Sequence, residues 1–395
     1  FGMLGVWEDM LPDAGEIRDI RITDGTSPFY LHYDHREVGD DPLGWIVENQ
    51  AIRRALLGAT LSHPLIRWHH GDTVTSWQAE PAHVLVTTGN GCQMSAALLV
   101  AADGRNSRLR TQAGIRTSEW AYNQAGIVCT ALHEYPHDNV AHERFLPAGP
   151  FAILPLPDRD GLHRSSIVWT ERTDMAAAIM QLDQNSFEAE LRARFGDFLG
   201  QVTTEGGRWS WPLGVVHAAS YTAPRFALAG DAAHGMHPIA GQGFNMGLRD
   251  VAALAEELVN ARRVGLDIGG ADVLARYQRW RHFDNTAMLG VTDALNRLFS
   301  NDIPPVKLVR DIGLGAVNRL PDCSCATQWA PQATCPVCWQ ASRYSGLRDS
   351  ACPYSLRKIT DRLLAGISTG SSGSKPAASA SAVTASRSRI PQSAF

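Results

Sequence analysis

Apolar and polar residues alternate in short stretches over the first two thirds of the chain, and a helical period takes over afterwards. "IRDIRI", Ile17 to Ile22, reads as a half-buried strand. "LGWIVENQAIRRALL" passes from strand to helix, with Ile52, Leu56 and Ala59 at helical spacing. "HVLVTT" and "AALLVAADG" read as strands, the second apolar enough for a parallel strand buried on both faces. "GPFAILPLPD" and "RSSIVWTE" read as antiparallel strands of another sheet, and Phe187 to Phe198 as a helix. "RFALAGD" is a short apolar strand ending in Gly-Asp. From Phe244 the pattern is helical, with Leu248, Val251, Ala252, Ala255, Leu258 and Val259 on one face. Asp272 to Phe299 continues as helix, and Phe1 to Met10 reads as the end of a helix already under way. There is no internal repeat. After Leu320 the helical period stops, and from Gly366 the chain is Ser/Ala-rich, the composition of a disordered tail.

Composition narrows the class. The chain has 395 residues, 44% hydrophobic and 19% charged, which suits a globular protein of two or three domains. A net charge of −4 gives no bulk electrostatic case for nucleic acid. No apolar run reaches membrane-span length, and no signal peptide precedes the first element, so a cytoplasmic, reducing location is expected. Arg dominates the basic residues, with Lys at Lys307, Lys358 and Lys375. Cys92 and Cys129 stand apart, whereas Cys323, Cys325, Cys335, Cys338 and Cys352 crowd together, unlike a secreted disulfide scaffold.

Two loops carry candidate chemistry. In "ALAGDAAHGMHPIAGQGFNMGLRD", Ala227 to Asp250, a strand delivers the Asp231 carboxylate at the carboxyl edge of a sheet, where ligands bind in α/β folds. Gly241 and Gly243 permit close backbone approach, and the helix after Phe244 turns its free N–H groups into the same space. Such a loop suits a polyhydroxyl chain on Asp231 and a developing anion at the helix start, and a flavin offers both. The alternative is a tightly packed helix entry in which His234 and His237 are ordinary loop residues. In "LLVAADGRNSRLR", Leu98 to Arg110, Asp103 meets a ribose or organises the turn. Arg105, Arg108 and Arg110 meet dinucleotide phosphates or form a solvated basic face.

Together "VAADGRNSRLR" and "GDAAHGMHPIAGQGFNMGLRD" resemble the flavin-dependent aromatic hydroxylases of the para-hydroxybenzoate hydroxylase fold, and most of all their ubiquinone-biosynthesis branch. "VENQAIRRAL", "LPLPD", "SSIVWT", "WPLGVVHAASY" and "GLGAVNRLP" fit the same branch, so the resemblance covers most of residues 1–321. It implies an α/β fold: a Rossmann-like FAD-binding domain, here incomplete, an interleaved β-sheet substrate domain and C-terminal helices. Residues 1–15 and 48–115 would belong to the FAD domain and 16–47 and 116–215 to the substrate sheet. Residues 216–321 would supply the FAD loop and C-terminal helices, and 322–395 an aberrant tail.

By the same resemblance Gly230 and Asp231 bind the ribityl chain. Pro238, Gly241, Gly243 and Asn245 line the isoalloxazine ring and pyrophosphate, and Asp103 and Gly104 are tied to FAD and NAD(P)H. Asn49 stands where relatives carry Arg or Gln near the pyrophosphate. The implied reaction hydroxylates an aromatic ring with O2 and NAD(P)H, and the branch's substrate is a polyprenylated phenol. That substrate implies peripheral association with the inner membrane or with a ubiquinone-biosynthesis complex. The apolar strands between Gly126 and Trp211 are the candidate substrate wall. No catalytic base and no metal ligand is assigned in the hydroxylase region. A flavin hydroxylase of another aromatic substrate, and an inactive relative, stay as alternatives.

Two departures stand out. The family opens with a strand, a Gly-x-Gly-x-x-Gly turn and a helix that this chain does not carry, so truncation at the N-terminus is expected. In the tail, "CSC" and "CPVC" have the spacing of zinc ligands. Read out of frame from the third base of the Asp322 codon, permitted codons give "LQLRHAMGAAGDLPRLL", Cys-free and helix-forming like the family's ending. A frameshift, a zinc site and a divergent tail are the three readings.

Overall fold

The computed structural model describes residues 1–25 and 30–299. A 3-10 turn at Gly2–Leu4 and one α-helical turn, α1 (Trp7–Met10), are separated by Gly5 at φ +69°, so Phe1 to Met10 is not one continuous helix. Then come β1 (Ala14–Ile17), β2 (Asp19–Asp24), β3 (Tyr30–Asp34) and β4 (Gly44–Val47). The alternating stretch Ile17 to Ile22 is divided at Arg18, because β1 pairs with β4 whereas β2 joins the large sheet. The helix α2 (Asn49–Ser62) buries Ala51 and Ala55. A meander follows: β5 (Val74–Ala79), β6 (Val84–Thr88) and β7 (Gln93–Ala96).

β8 (Leu99–Ala101) leads to α3 (Arg108–Gln112), capped by Ser107. The apolar string "AALLVAADG" is thus cut between β7 and β8, which lie in different sheets. Val100 is 41% exposed, because β8 is the edge strand of its described sheet and not buried on both faces.

The middle of the chain builds β9 (Thr117–His133), β10 (Val140–Leu146), β11 (Gly149–Arg159) and β12 (Leu162–Arg172). Next are α4 (Thr173–Gln181), α5 (Gln184–Phe195) and β13 (Val202–Ala218). α5 starts at its N-cap Asp183, which accepts the Ser186 amide, and stops at Gly196, short of the expected Phe198. The chain continues through β14 (Thr222–Ala223), β15 (Phe226–Leu228), β16 (His234–Gly235), α6 (Gln242–Arg263) and α7 (Ala271–Phe299).

Eight strands form the main sheet in the order β16-β13-β9-β12-β11-β10-β2-β3. Period-two alternation gives it two different faces. One packs Ile127, Cys129, Phe151, Ile153, Ile167 and Trp169 against Phe187, Leu191 and Phe195 of α5. On the other, register aligns Ile22, Glu143, Ala152, Val168, Val128 and Trp209 in one row across six strands. The second core joins β8 and β15 to α6 and α7 through Ala101, Phe226, Leu228, Ala253, Leu254, Leu274 and Tyr277.

The buried face of α6 differs from the hydropathy reading. Met246, Asp250, Ala253, Leu254, Glu257 and Ala261 point inward, while Val251 and Val259 are 57% and 47% exposed. The reason is electrostatic pairing. Asp250 and Glu257 meet Arg281 and Arg276 of α7, each at 2.7 Å, so carboxylates occupy the buried stripe. The Cys-rich tail and "GLGAVNRLP" lie outside the described residues.

Candidate functional site

β8 and β15 run parallel as neighbours, with Ala101 opposite Leu228. Gly230-Asp231 and Asp103-Gly104 therefore leave the sheet at the same carboxyl edge, as expected of a ligand site in an α/β sheet. Gly230 has φ +63°, and a Cβ added at Gly247 would lie 3.3 Å from its Cα, so the strand exit and α6 meet backbone to backbone. Asp231 stands exposed in the short turn that follows. Asp103, also exposed, accepts the Leu109 amide at 3.3 Å and so organises the start of α3.

The arginines divide by role. Arg110 is buried and donates to Ala232 O and Arg105 O, each at 2.9 Å, joining the two loops. Arg105 donates to Gly214 O at 3.0 Å. Arg108 remains exposed, so the three arginines do not form one basic face.

Asp250 is the hub beneath the loop, and sequence reasoning missed it. Its Oδ2 accepts the Gly230 amide at 2.9 Å and His234 Nε2 at 2.5 Å. Its Oδ1 accepts Arg281 Nε at 2.7 Å and Asn285 Nδ2 at 3.1 Å. Burial pushes the carboxyl upward, but His234 and Arg281 together hold it below the ordinary carboxylate range. The available signal was its place at the end of the Gly-rich string.

After β16 the chain turns at Pro238 into α6. Gly241, at φ +62°, is the N-cap; no side chain caps the helix, and the space around Gly241 is open. Gly243 and Asn245 lie in the first turn, beside free N–H groups. His237 is fully buried: its Nδ1 accepts the Ile239 amide at 3.3 Å, and its ring meets Tyr122 edge-on at 5.1 Å. Burial lowers the imidazole to about 4, so it is neutral, and among the described residues its Nε2 has no partner. Burial, together with the bond to Asp293, lifts the Tyr122 hydroxyl to about 12. Asn49 is the exposed first residue of α2. Its neighbour Glu48 reaches Arg164, on the second face of the main sheet, at 3.5 Å.

Among the described residues no His, Cys, Asp and Glu side chains are grouped to hold a metal ion. The loop instead offers an exposed carboxylate, an open helix N-terminus and an unpaired buried imidazole nitrogen next to Pro238. These fit a ligand with a hydroxylated chain and a ring edge that gains negative charge.

Comparison with known proteins agrees. Residues 1–289 match the family described as FAD binding domain. The chain is 47% identical over 317 residues to ubiquinone hydroxylase UbiL of Rhodospirillum rubrum, covering 80% of this chain and 73% of that one. It is 34% identical over 346 residues to the human ubiquinone biosynthesis monooxygenase COQ6, covering 77% and 73%. In fold it is similar to p-nitrophenol 4-monooxygenase PnpA from Pseudomonas putida, with a TM-score of 0.67 at 18% identity over 84% and 85% of the two chains. It is similar also to Klebsiella pneumoniae HpxO complexed with FAD and uric acid, with a TM-score of 0.64 at 17% identity over 84% and 85%. The chain belongs to the FAD-binding monooxygenases of the para-hydroxybenzoate hydroxylase fold, and is an FAD-dependent aromatic-ring hydroxylase closely related to those of ubiquinone biosynthesis.

Proposed function

We propose that this hydroxylase acts on a phenol bearing a polyprenyl chain, with O2 and NAD(P)H as co-substrates, and takes that substrate from a membrane surface. The observation that carries the reading is the second face of the main sheet. There Val128, Ala152, Leu154 and Val168 are half-buried, an apolar wall across three strands. The buried cation of that face, Arg164, is already paired with Glu205 at 2.9 Å and Glu48 at 3.5 Å. A neutral phenol suits this wall better than an aromatic carboxylate, which needs an unspent cation. The names of the ubiquinone-biosynthesis relatives point the same way.

Bound FAD supplies the electron transfer and the activation of O2. Asp231, with Gly230, would hold its ribityl hydroxyls. Pro238, Gly241, Gly243 and Asn245 would line its ring and pyrophosphate, Asp103 and Gly104 its approach to NAD(P)H, and Asn49 the pyrophosphate. The open N-terminus of α6 favours negative charge at the ring edge, and the apolar wall orients the substrate and keeps water out.

Among the described residues no helix is long and apolar enough to cross a membrane. Peripheral contact is supported by Trp209 and Trp211, which are 53% and 55% exposed on the second face of β13. Indole rings favour the membrane–water interface.

The test is turnover of 2-geranylphenol against 4-hydroxybenzoate by the FAD-loaded chain, following NADH and NADPH oxidation and a product one oxygen heavier. Hydroxylated geranylphenol is expected. Faster coupled turnover of 4-hydroxybenzoate would overturn the substrate reading. Unchanged FAD affinity in Asp231→Ala would remove Asp231 from the cofactor site.

A further inference from the structure

Glu143 sits on the same row as the proposed substrate wall, next to Ala152, and nothing in the cofactor site explains it. Register puts it between Ile22 of β2 and Ala152 of β11, with Val168 and Val128 beyond. Its chain neighbours point the other way: Arg144 donates to Arg194 O of α5 at 2.7 Å, and His142 packs on Phe198 at 4.9 Å. Glu143 is thus a carboxylate on an otherwise apolar row.

The helix α7 packs over this side of the sheet. Phe145, two residues along the same face, stacks on Phe299 of α7 at 4.2 Å. Tyr122, bonded to Asp293 of α7, brings in His237 and with it the Pro238 loop. Arg164 brings in Glu48, next to Asn49. β2, β3 and β11 present Ile22, Leu31 and Ala152 to its row, and α7 presents Leu295 and Phe299 near it. The charged groups of these elements offer it no counter-ion: Arg21 lies opposite His142 on the other face, Arg297 pairs with Asp293 at 2.8 Å, and Asp24, opposite Phe145 on the same face, is itself a carboxylate. Among the described residues Glu143 has neither a hydrogen-bond nor an ion-pair partner. Burial pushes its carboxyl up to about 7. An unpartnered carboxylate in such a place is costly, and a ligand that brings a donor would satisfy it.

We propose that Glu143 accepts the phenolic hydroxyl of the aromatic substrate and takes its proton as the ring is hydroxylated. This rests on the reading that the substrate is a phenol. The phenolic O–H bond breaks and a carboxyl O–H bond forms. The electron pair left on oxygen delocalises into the ring and raises electron density at the ortho and para carbons, where the oxygen atom derived from O2 is added. The hydrogen on that carbon leaves as a proton when the ring regains aromaticity. Glu143 then returns its own proton to the first oxygen, giving the diol. Reducing equivalents come from NAD(P)H, and the second oxygen atom leaves as water.

The test compares 4-hexylphenol with its methyl ether, 4-hexylanisole, which cannot donate. Equilibrium binding of both is measured by calorimetry on the FAD-loaded wild type, Glu143→Ala and Glu143→Gln, alongside kcat and KM for the phenol against pH. The wild type is expected to prefer the phenol by roughly tenfold or more, the range of a hydrogen bond to a charged group. Glu143→Ala should lose that preference. Glu143→Gln, an isostere chosen to preserve the fold, should keep part of it but lose the rise of kcat with pH that is expected of the wild type near neutrality. A phenol preference unchanged in both variants would overturn the role of Glu143 while leaving the phenol hydroxylase reading in place. Absence of phenol binding to the wild type would overturn both.

Discussion

The Gly230 amide donates to the buried Asp250 carboxylate at 2.9 Å, so the turn that presents Asp231 is anchored to α6. The same carboxylate neutralises Arg281, which is 2% exposed. Asp250→Ala leaves that guanidinium without its main partner and frees the turn. Breaking a buried pair from one side costs about 3–5 kcal/mol. The variant is expected to unfold at clearly lower urea and to release FAD more readily; wild-type values for both would show that the network is not what holds the loop. Asp250→Asn keeps an acceptor for Gly230 and should lose less FAD affinity than stability.

Arg110 makes the second tie, donating to Ala232 O from one Nη and to Arg105 O from the other. A lysine at this position can reach one carbonyl but not hold both in a fixed fork. Arg110→Lys should therefore cost about 1.5–3 kcal/mol, the worth of one charge-assisted hydrogen bond. The exposed neighbour Arg108 serves as control: Arg108→Ala should leave stability within about 0.5 kcal/mol of wild type. Equal losses in the two variants would mean that Arg110 does not tie the loops.

The parts of this site that could be read in the sequence are those where the backbone sets the residue type. Gly230 and Gly241 sit at positive φ, and the strands before Asp231 and Asp103 are short and apolar, so both loops stood out. The inward face of α6 did not. Hydropathy assigns Asp250 and Glu257 to solvent, yet they are buried because Arg281 and Arg276 come from another helix, a long-range pairing invisible to a local pattern. Glu143 was hidden for a similar reason. In "AHERF" it reads as one of three consecutive polar residues, and register against Ala152 is what separates it from His142 and Arg144.

His237 gives a pH dependence with a defined sign. Its ordinary value of 6.5 falls to about 4 through burial. As pH drops below 6.5 the unfolded chain takes up a proton that the folded chain refuses, so stability present above 6.5 is lost toward 4. A shift of that size is worth about 3 kcal/mol. His237→Gln cannot protonate, so its stability relative to wild type should improve by up to that amount between pH 7.5 and 4.5 in urea unfolding. His217, also lowered to about 4 by burial and His282, is common to both proteins and cancels. A difference that stays flat with pH would mean that His237 is not held neutral.

Glu143 should behave in the opposite sense, and stability can separate a functional carboxylate from a structural one. Its ordinary value of 4.5 rises to about 7. Below 4.5 the folded and unfolded chains are both protonated there. Between 4.5 and 7 the unfolded chain ionises first, so stability falls as pH rises, and the loss is complete above 7. Glu143→Gln carries no such charge. It should therefore gain on wild type across this window, reaching about 1–3 kcal/mol at pH 8, the full shift discounted for partial exposure. A carboxylate that served the fold through partners would give the reverse, since its removal would leave them unpaired. Greater stability at pH 8 together with slower hydroxylation is the pattern of a group kept at a cost to the fold for its chemistry. Lower stability of Glu143→Gln at pH 8 would show that the charge is compensated within the protein, and that Glu143 does not wait for a substrate proton.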